Sequence, residues 1–386
     1  MANINQFVKV GFTIEKATSL AEFFSNVGYL CTATASDFVN GSIPTNNHVI
    51  IPTIDILDKT FKSNTQYYKD IETILMQQGN NKPNQSGVGN VIVYVGIIAS
   101  GDDYGTLVKE FISVNGNFAR LTIDSRTPAD IFAAAKETQA KNRRFIAQTS
   151  DSSISEPDVS NIATTMKDLE LTLVDLDYHL DNTEALACAD MSVATQEMMG
   201  SVGDLYSVFT GVTPKNYLDS EQTILDRNVS LYTSVAFIDG GNLDQYAQKL
   251  LLGGKTITGV DRKSADIEYY FDKVFKARGL DFLAKKYTYQ DSSANILQEM
   301  LTRILIEGQL NNLIVEDSID EETGEKVYGF KLKVLKPSVL RRTQPTVYAE
   351  QKYLVIGYYY DAKIGRKIDI NFYVNPQDYE LKEIGF

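Results

Sequence analysis

Apolar positions along this chain switch repeatedly between strand-like and helix-like spacing. Near the start, Ile4, Phe7, Val8, Val10 and Phe12 alternate loosely within Asn3–Thr13 and predict an extended segment. Ser19–Val27 predicts a short helix or turn, and Ile50–Asp55 is apolar and β-prone. Within residues 64–78, Tyr67, Tyr68, Ile71, Ile74 and Leu75 recur at helical spacing. A polar loop of Gly, Asn and Pro fills 79–89. The run NVIVYVGIIA at 90–99 is continuous and β-branched, the pattern of a strand buried on both faces. Helix and strand then alternate. Helices are expected at 104–114, 129–141 (with Pro128 at the start), 158–169 and 184–199. Strands are expected at 117–123, 144–148 and 171–176. That alternation predicts a parallel or mixed sheet with helices packed on it.

Beyond Gly200 the texture changes. Residues 210–216 read as a loop, 219–226 as a short helix and 229–238 as a strand. Turns are expected at 239–241 and at Gly253–Gly254. Two long amphipathic helices follow, 265–286 and 294–310. The remainder is β-like. Lys326–Leu335 faces 313–318 across a turn at 321–324, a hairpin pattern. Tyr353–Tyr360 and Ile368–Val374 alternate strongly around a turn at 361–365.

Composition narrows the classes. A chain of 386 residues exceeds one ordinary domain, so two domains or one domain with a large insertion is expected. With 43% hydrophobic and 23% charged residues it is globular. The formal net charge of −13 repels phosphate backbones and argues against nucleic acid. Cys31 and Cys188 stand far apart and in no motif, so neither a disulfide framework nor a zinc site is indicated. The opening MANINQFVKVGF predicts no secretory leader, which makes the sequons at Asn40, Asn84 and Asn228 moot. No apolar run approaches the roughly 18 residues needed to span a bilayer, and no membrane insertion is expected. Tyr is abundant at 22 against no Trp, which suits surfaces that meet other proteins and is equally open to compositional drift.

Candidate chemistry is sparse. LLGGKT at 251–256 invites a phosphate-loop reading, but Lys249 stands where the motif needs its first Gly, and the preceding segment reads as helical. In SGVGNVIV at 86–93 the glycines precede a strand instead of following one, and Ile92 replaces the third Gly. DLDYHLD at 175–181 gathers three acids and His179 at a strand end, a place where α/β folds often carry function. A metal there needs further ligands, so a solvated strand end with a hydrogen-bonded histidine is the plainer alternative. His48 has no nucleophile in a recognisable setting. The acidic turn at 316–326 lacks the spacing of a calcium loop; with the basic residues after it, including Arg341 and Arg342, it is a solvated hairpin or a source of complementary patches. Lys273, Lys276, Arg278, Lys285 and Lys286 load the first long helix with positive charge. They complement its dipole or form a docking face for an acidic partner. No cofactor or catalytic residue is expected.

The order of elements resembles the contractile phage tail sheath family. GVTP…LDRNVSLYT, then DIEYYFDKVFKARGLDFL, then ANILQEMLTRILIEGQL and a β-rich end follow its loop–strand–helix–helix passage. Tyr67–Tyr94 and Phe145–Ala194, with the YH at Tyr178–His179, are similar to its upstream part; the first 60 residues match poorly. The resemblance implies a mixed α+β and α/β fold: an inner core domain (a sheet plus two long helices), an inserted outer α/β domain and extended terminal arms. The expected parts are 1–24 (arm), 25–205 (outer domain with some core elements), 206–350 (inner core) and 351–386 (C-terminal strand and arm). It also implies stacked hexameric rings of self around a tail tube protein, with baseplate and tail terminator proteins as further partners, in a virion tail assembled in the host cytoplasm. Contraction drives the tube through the host envelope. Inter-subunit strand exchange falls on Ile4, Phe7, Val8, Val10, Phe12, Tyr353, Val355, Ile368, Ile370, Phe372 and Val374. The basic residues Lys273, Lys276, Arg278, Lys285, Lys286, Arg341 and Arg342 become tube-facing or inter-subunit charges. Another tail or baseplate component, or an α/β enzyme with a site near Asp175–Asp181, are the alternatives.

Overall fold

Side-chain caps and prolines set where the helices begin. The computed structural model describes residues 20–77, 91–98, 103–195, 198–201, 203–217, 220–235, 248–320 and 323–363. Helix α1 (Leu20–Ser25) leads into β1 (Val27–Cys31), β2 (His48–Ile51) and α2 (Ile54–Thr60). Helix α3 (Gln66–Met76) starts where the Thr65 hydroxyl accepts the Tyr68 N–H. After β3 (Val93–Ile97), Asp103 caps α4 (Tyr104–Val114) through the Thr106 N–H. Strand β4 (Arg120–Ile123) precedes α5 (Pro128–Ala140), whose proline stands at the first helical position. Then come β5 (Arg144–Thr149), α6 (Ile162–Asp168), capped by Asn161, β6 (Val174–Tyr178), α7 (Leu186–Ala194) and α8 (Glu221–Asp226). Strands β7 (Ser230–Val235) and β8 (Gln248–Leu252) lead to the long helices α9 (Arg262–Ala284) and α10 (Asp291–Leu310). The end of the described chain holds β9 (Ser318–Ile319), β10 (Lys326–Val327), β11 (Phe330–Val334), α11 (Pro337–Thr343), α12 (Pro345–Ala349) and β12 (Val355–Tyr359).

Eight strands form one mixed sheet in the order β2-β3-β1-β4-β5-β6-β7-β8. The six inner strands run parallel, and β2 and β8 close the edges antiparallel. Strict alternation sends Leu121, Ile123, Phe145, Ala147, Val174 and Leu176 to one face, under α4, α5 and α6. Val27, Tyr29, Cys31, Val93 and Val95 point to the other face, under α3 and α7. A third core joins α9 and α10 to the β11–β12 ribbon, with Phe271, Val274, Leu301, Ile304 and Val334 inside. The sheet runs past residue 205, so β7 and β8 belong to the same layer as the strands expected in an outer domain.

Several expectations need correction. VGYLC at 27–31 is a strand inside the sheet, between β3 and β4, although its glycine and shortness hid it. The β-prone run at 50–55 is split: β2 ends at Ile51 and α2 starts at Ile54. The segment before the paired glycines is strand β8, not helix, because it pairs antiparallel with β7 and buries Leu251 against Tyr232 and Phe209. Of the hairpin expected between 313–318 and 326–335, Ser318–Ile319 pairs with Lys326–Val327 among the described residues, while Phe330–Val334 pairs instead with Val355–Tyr359. The expected strand at 3–13, the loop at 79–89, the turn at 239–241 and the strand at 368–374 lie outside the described residues.

Candidate functional site

The winding direction reverses at β1, so the carboxyl ends of β1 and β4 mark the crevice where doubly wound sheets bind ligands. Here the chain's own side chains bond across that crevice. Asp124 follows β4 and accepts the Thr32 N–H at 3.0 Å and the Thr32 hydroxyl at 2.8 Å. The Tyr104 hydroxyl donates to its other oxygen. Behind it, buried Asp70 accepts from Tyr29 at 2.7 Å and from Gln66 at 2.7 Å, with Arg126 3.4 Å away. A shallow polar hollow nearby is lined by Asp37, Lys62, Asn64 and Tyr67, but the Lys62 amino group is bonded to the Ser36 carbonyl at 2.6 Å.

The charged chemistry sits at the opposite end of the sheet. Arg120 and Arg144 open β4 and β5, while Asp175 and Asp177 share one face of β6. Arg262 opens α9, just after Asp261 caps it through the Lys263 and Ser264 N–H groups. Arg262 is only 2% exposed. Its Nη2 donates to Asp177 Oδ1 at 2.8 Å, and its Nη1 to Asp204 Oδ2 at 2.9 Å and to Asp190 Oδ2. Its Nε bonds the Lys255 carbonyl at 3.1 Å. Arg144 Nη2 reaches Asp175 Oδ2 at 2.7 Å, and its Nε lies 3.1 Å from Asp266 Oδ1. Arg120 Nη2 meets Asp266 Oδ2 at 2.5 Å. Three guanidinium groups thus hold five carboxylates, tying β4, β5, β6, α7 and the 203–207 loop to the start of α9. Burial pushes Asp175 up to about 6 despite Arg144 and Arg262. It also raises Asp177 and, more strongly, Asp190, whereas Arg262 keeps Asp204 low.

This geometry resolves the acidic run at 175–181. Asp175 and Asp177 are arginine partners, and Asp181 caps the turn at Thr183. His179 is buried, donating from Nε2 to the Thr213 carbonyl at 2.8 Å and accepting the Asp181 N–H at Nδ1 at 3.1 Å. Both ring nitrogens are therefore committed to backbone. No group of three or more metal-ligating side chains is gathered among the described residues. At the GGKT turn, Gly253 takes φ +105° and packs against Ser230, while the Gly254 N–H is bonded to Ser230 Oγ at 3.0 Å. A phosphate cradle needs such N–H groups free.

The basic set divides. Lys273 and Lys276 are buried within the chain, which removes them from the exposed charges: Lys273 Nζ bonds the Asn142 carbonyl at 3.1 Å over the Tyr269 ring, and Lys276 pairs with Asp272. Arg278, Lys285, Lys286, Arg341 and Arg342 are exposed. Of the strand-exchange candidates, Ile4, Phe7, Val8, Val10, Phe12, Ile368, Ile370, Phe372 and Val374 lie outside the described residues. Tyr353 packs edge-on against Phe282 at 5.2 Å, and Val355 pairs with Val334 of the same chain. Sequence reasoning missed Arg120, Arg144, Asp190, Asp204, Arg262 and Asp266. Only Asp175 and Asp177 carried a signal, their spacing of two on a strand.

No family model matches the chain, and no curated protein matches it. Solved structures do. A chain of the anti-feeding prophage helical sheath in its contracted state is 14% identical over 95% of this chain and 99% of its own, with a TM-score of 0.60. A chain of the 6-fold symmetrised baseplate of the same particle is 12% identical over 95% and 98%, with a TM-score of 0.61. The chain has a contractile-tail sheath fold. In this fold Asp124 links Thr32 and Tyr104 across the crevice, and the buried ions join strands to helix α9. The chains it is similar to come from the helical sheath and the baseplate of the anti-feeding prophage.

Proposed function

We propose that the chain is a sheath protomer of a contractile tail or tail-like particle. The observation that carries this reading is the fold likeness over nearly the whole of both chains, including one that forms a contracted helical sheath. In this reading the protomers form hexameric rings stacked around a tail tube, and contraction drives that tube through a host envelope. The contact along the axis is heterologous and does not close, so it propagates. Helices α9 and α10 and strand β11 form the inner core, the sheet with α2–α7 faces outward, and the segments 1–24 and 351–386 tie neighbours together, the latter rooted on β11 by β12. Val355 and Tyr353 anchor the root of the C-terminal arm, while Ile368, Ile370, Phe372 and Val374 supply the exchanged strand. Added strands gain affinity from backbone hydrogen bonds and tolerate rigid-body motion of the subunits they join. Arg278, Lys285, Lys286, Arg341 and Arg342 are the charges left for the tube or a neighbour. Energy for contraction comes from new contact area and charge pairing.

The baseplate likeness favours a second reading, a subunit confined to the baseplate. Negative-stain microscopy of the purified chain separates the two. Long hollow polymers are expected for a sheath protomer and closed rings alone for a baseplate component. A chain that stays monomeric at high concentration sinks both.

A further inference from the structure

The cluster around Arg262 is unbalanced. Among the described residues, Asp175, Asp177, Asp190, Asp204 and Asp266 face only Arg120, Arg144 and Arg262, and all eight side chains are buried. Buried net charge is expensive unless it is neutralised, and carboxylates accomplish that by keeping a proton. The hydrogen bonds show where. Asp190 Oδ2 takes Arg262 Nη1, but Asp190 Oδ1 and Asp177 Oδ2 have no donor. Asp190, Asp204 and Asp177 nevertheless converge on the one Arg262 guanidinium, Asp190 and Asp204 on the same Nη1 nitrogen. Two carboxylates in that relation repel unless one is an acid. All three bond the guanidinium, but Arg262 holds only Asp204 low, while burial raises Asp177 and raises Asp190 furthest.

Among the described residues, the other elements packed against α7 supply nothing to change this balance. Strands β5 and β4 bring Arg144 and Arg120, both engaged by Asp175 and Asp266. Helix α3 brings Asp70, which is bonded to Tyr29, Gln66 and Arg126, and Lys69, which faces Glu184. Strand β6 brings Asp175 and Asp177, the 203–207 loop Asp204, and α9 Arg262 and Asp266.

We propose that Asp190 is held as the neutral acid at neutral pH, sharing its proton with the facing carboxylates of Asp177 and Asp204, and that this proton locks the start of α9 to the sheet. The proton comes from water on folding and returns to water when the cluster opens. The lock operates in the isolated chain, whatever the chain assembles into. Asp190 binds the proton more tightly folded than unfolded. Stability linked to it is therefore fully present below the ordinary carboxylate range and falls as pH rises towards the folded value. One proton changes the folding constant by up to tenfold per pH unit in that window.

The test compares wild type with Asp190→Asn, whose amide can donate where the acid does. Expected are an infrared carbonyl band of a protonated buried acid in wild type at neutral pH, its loss in Asp190→Asn, and a wild-type-to-variant ratio of folding constants that falls up to tenfold per pH unit on raising pH. No such band in wild type at neutral pH overturns the proposal. So does a band that survives in Asp190→Asn, a ratio independent of pH, or an Asp190→Asn chain that fails to fold while Asp177→Asn folds.

Discussion

At the scale of single residues, Arg262 carries more of the fold than any neighbour in sequence predicts. Removing one partner from a buried ion pair strands the other charges. Arg262→Ala is expected to lower the unfolding free energy by about 3–5 kcal/mol, measured by urea denaturation. Arg262→Lys restores only part of it, since an ammonium cannot bridge Asp177, Asp190 and Asp204 from one planar fork. Lys273 behaves in the opposite sense. Burial brings its amino group down to about 5, with Arg143 adding to the effect. The unfolded chain then binds this proton where the folded chain does not. The contribution to stability rises with pH from about 5 up to the ordinary lysine range. Lys273→Met, which keeps the length and drops the amine, is expected to stabilise by on the order of 1–4 kcal/mol, most at the acid end of that window. Equal denaturation midpoints for the two chains at pH 6 refute it. Neither residue was legible beforehand. Arg262 lies between Asp261 and Lys263 in an ordinary helix start, and its partners arrive from positions up to 87 residues away, from Asp175 onward. Lys273 read as one of several surface cations because an amphipathic pattern does not report which polar residue snorkels and which is enclosed.

Elements were readable where periodicity, length and caps agreed. Helices α3, α4 and α5 and strands β3 and β5 fall within a few residues of their expected spans. Strands β1 and β8 were not, since each is five residues long and its apolar character is decided by what covers it. The same limit applies to glycines within helices, where space, not sequence, sets the outcome. Gly308 of α10 faces α9, and a Cβ there would stand 2.7 Å from Phe271 Cζ and 3.2 Å from Ile314 Cδ1. Phe271 cannot yield easily, because it stacks on Phe275 and touches Tyr270 and Tyr359. Gly308→Ala is therefore expected to destabilise by about 1–3 kcal/mol despite better helix propensity. Gly279 in α9 meets nothing within 4 Å, so Gly279→Ala is expected to stabilise by about 0.5–1 kcal/mol. Thermal unfolding of both variants checks the pair, and shifts of the same sign would contradict the packing of α10 on α9.

For the whole molecule, the question is which part of the chain end folds the protomer and which part joins protomers. A cut before Tyr353 would confuse the two. It removes β12, which pairs with β11 in the same chain from Val334 to Phe330, and with it the contacts of Tyr359 on Phe271 and Tyr353 on Phe282. The third core would lose one wall, and failure to polymerise would then report misfolding. A cut after Lys363 keeps that ribbon and the bridge between Ile314 and Asp361. It deletes the alternating Ile368, Ile370, Phe372 and Val374, whose backbone groups are what an exchanged strand would offer to a neighbour. The expected result is a chain with an unchanged melting temperature and unchanged circular dichroism that no longer forms long polymers under the microscope. Alanine at Ile368, Ile370, Phe372 and Val374 together should weaken assembly less than the cut, because strand addition draws on the main chain as well as on side-chain pockets. Normal polymers from the chain ending at Lys363 would place the joining surface elsewhere on the protomer, and the exposed Arg278, Lys285, Lys286, Arg341 and Arg342 would become the next surface to neutralise.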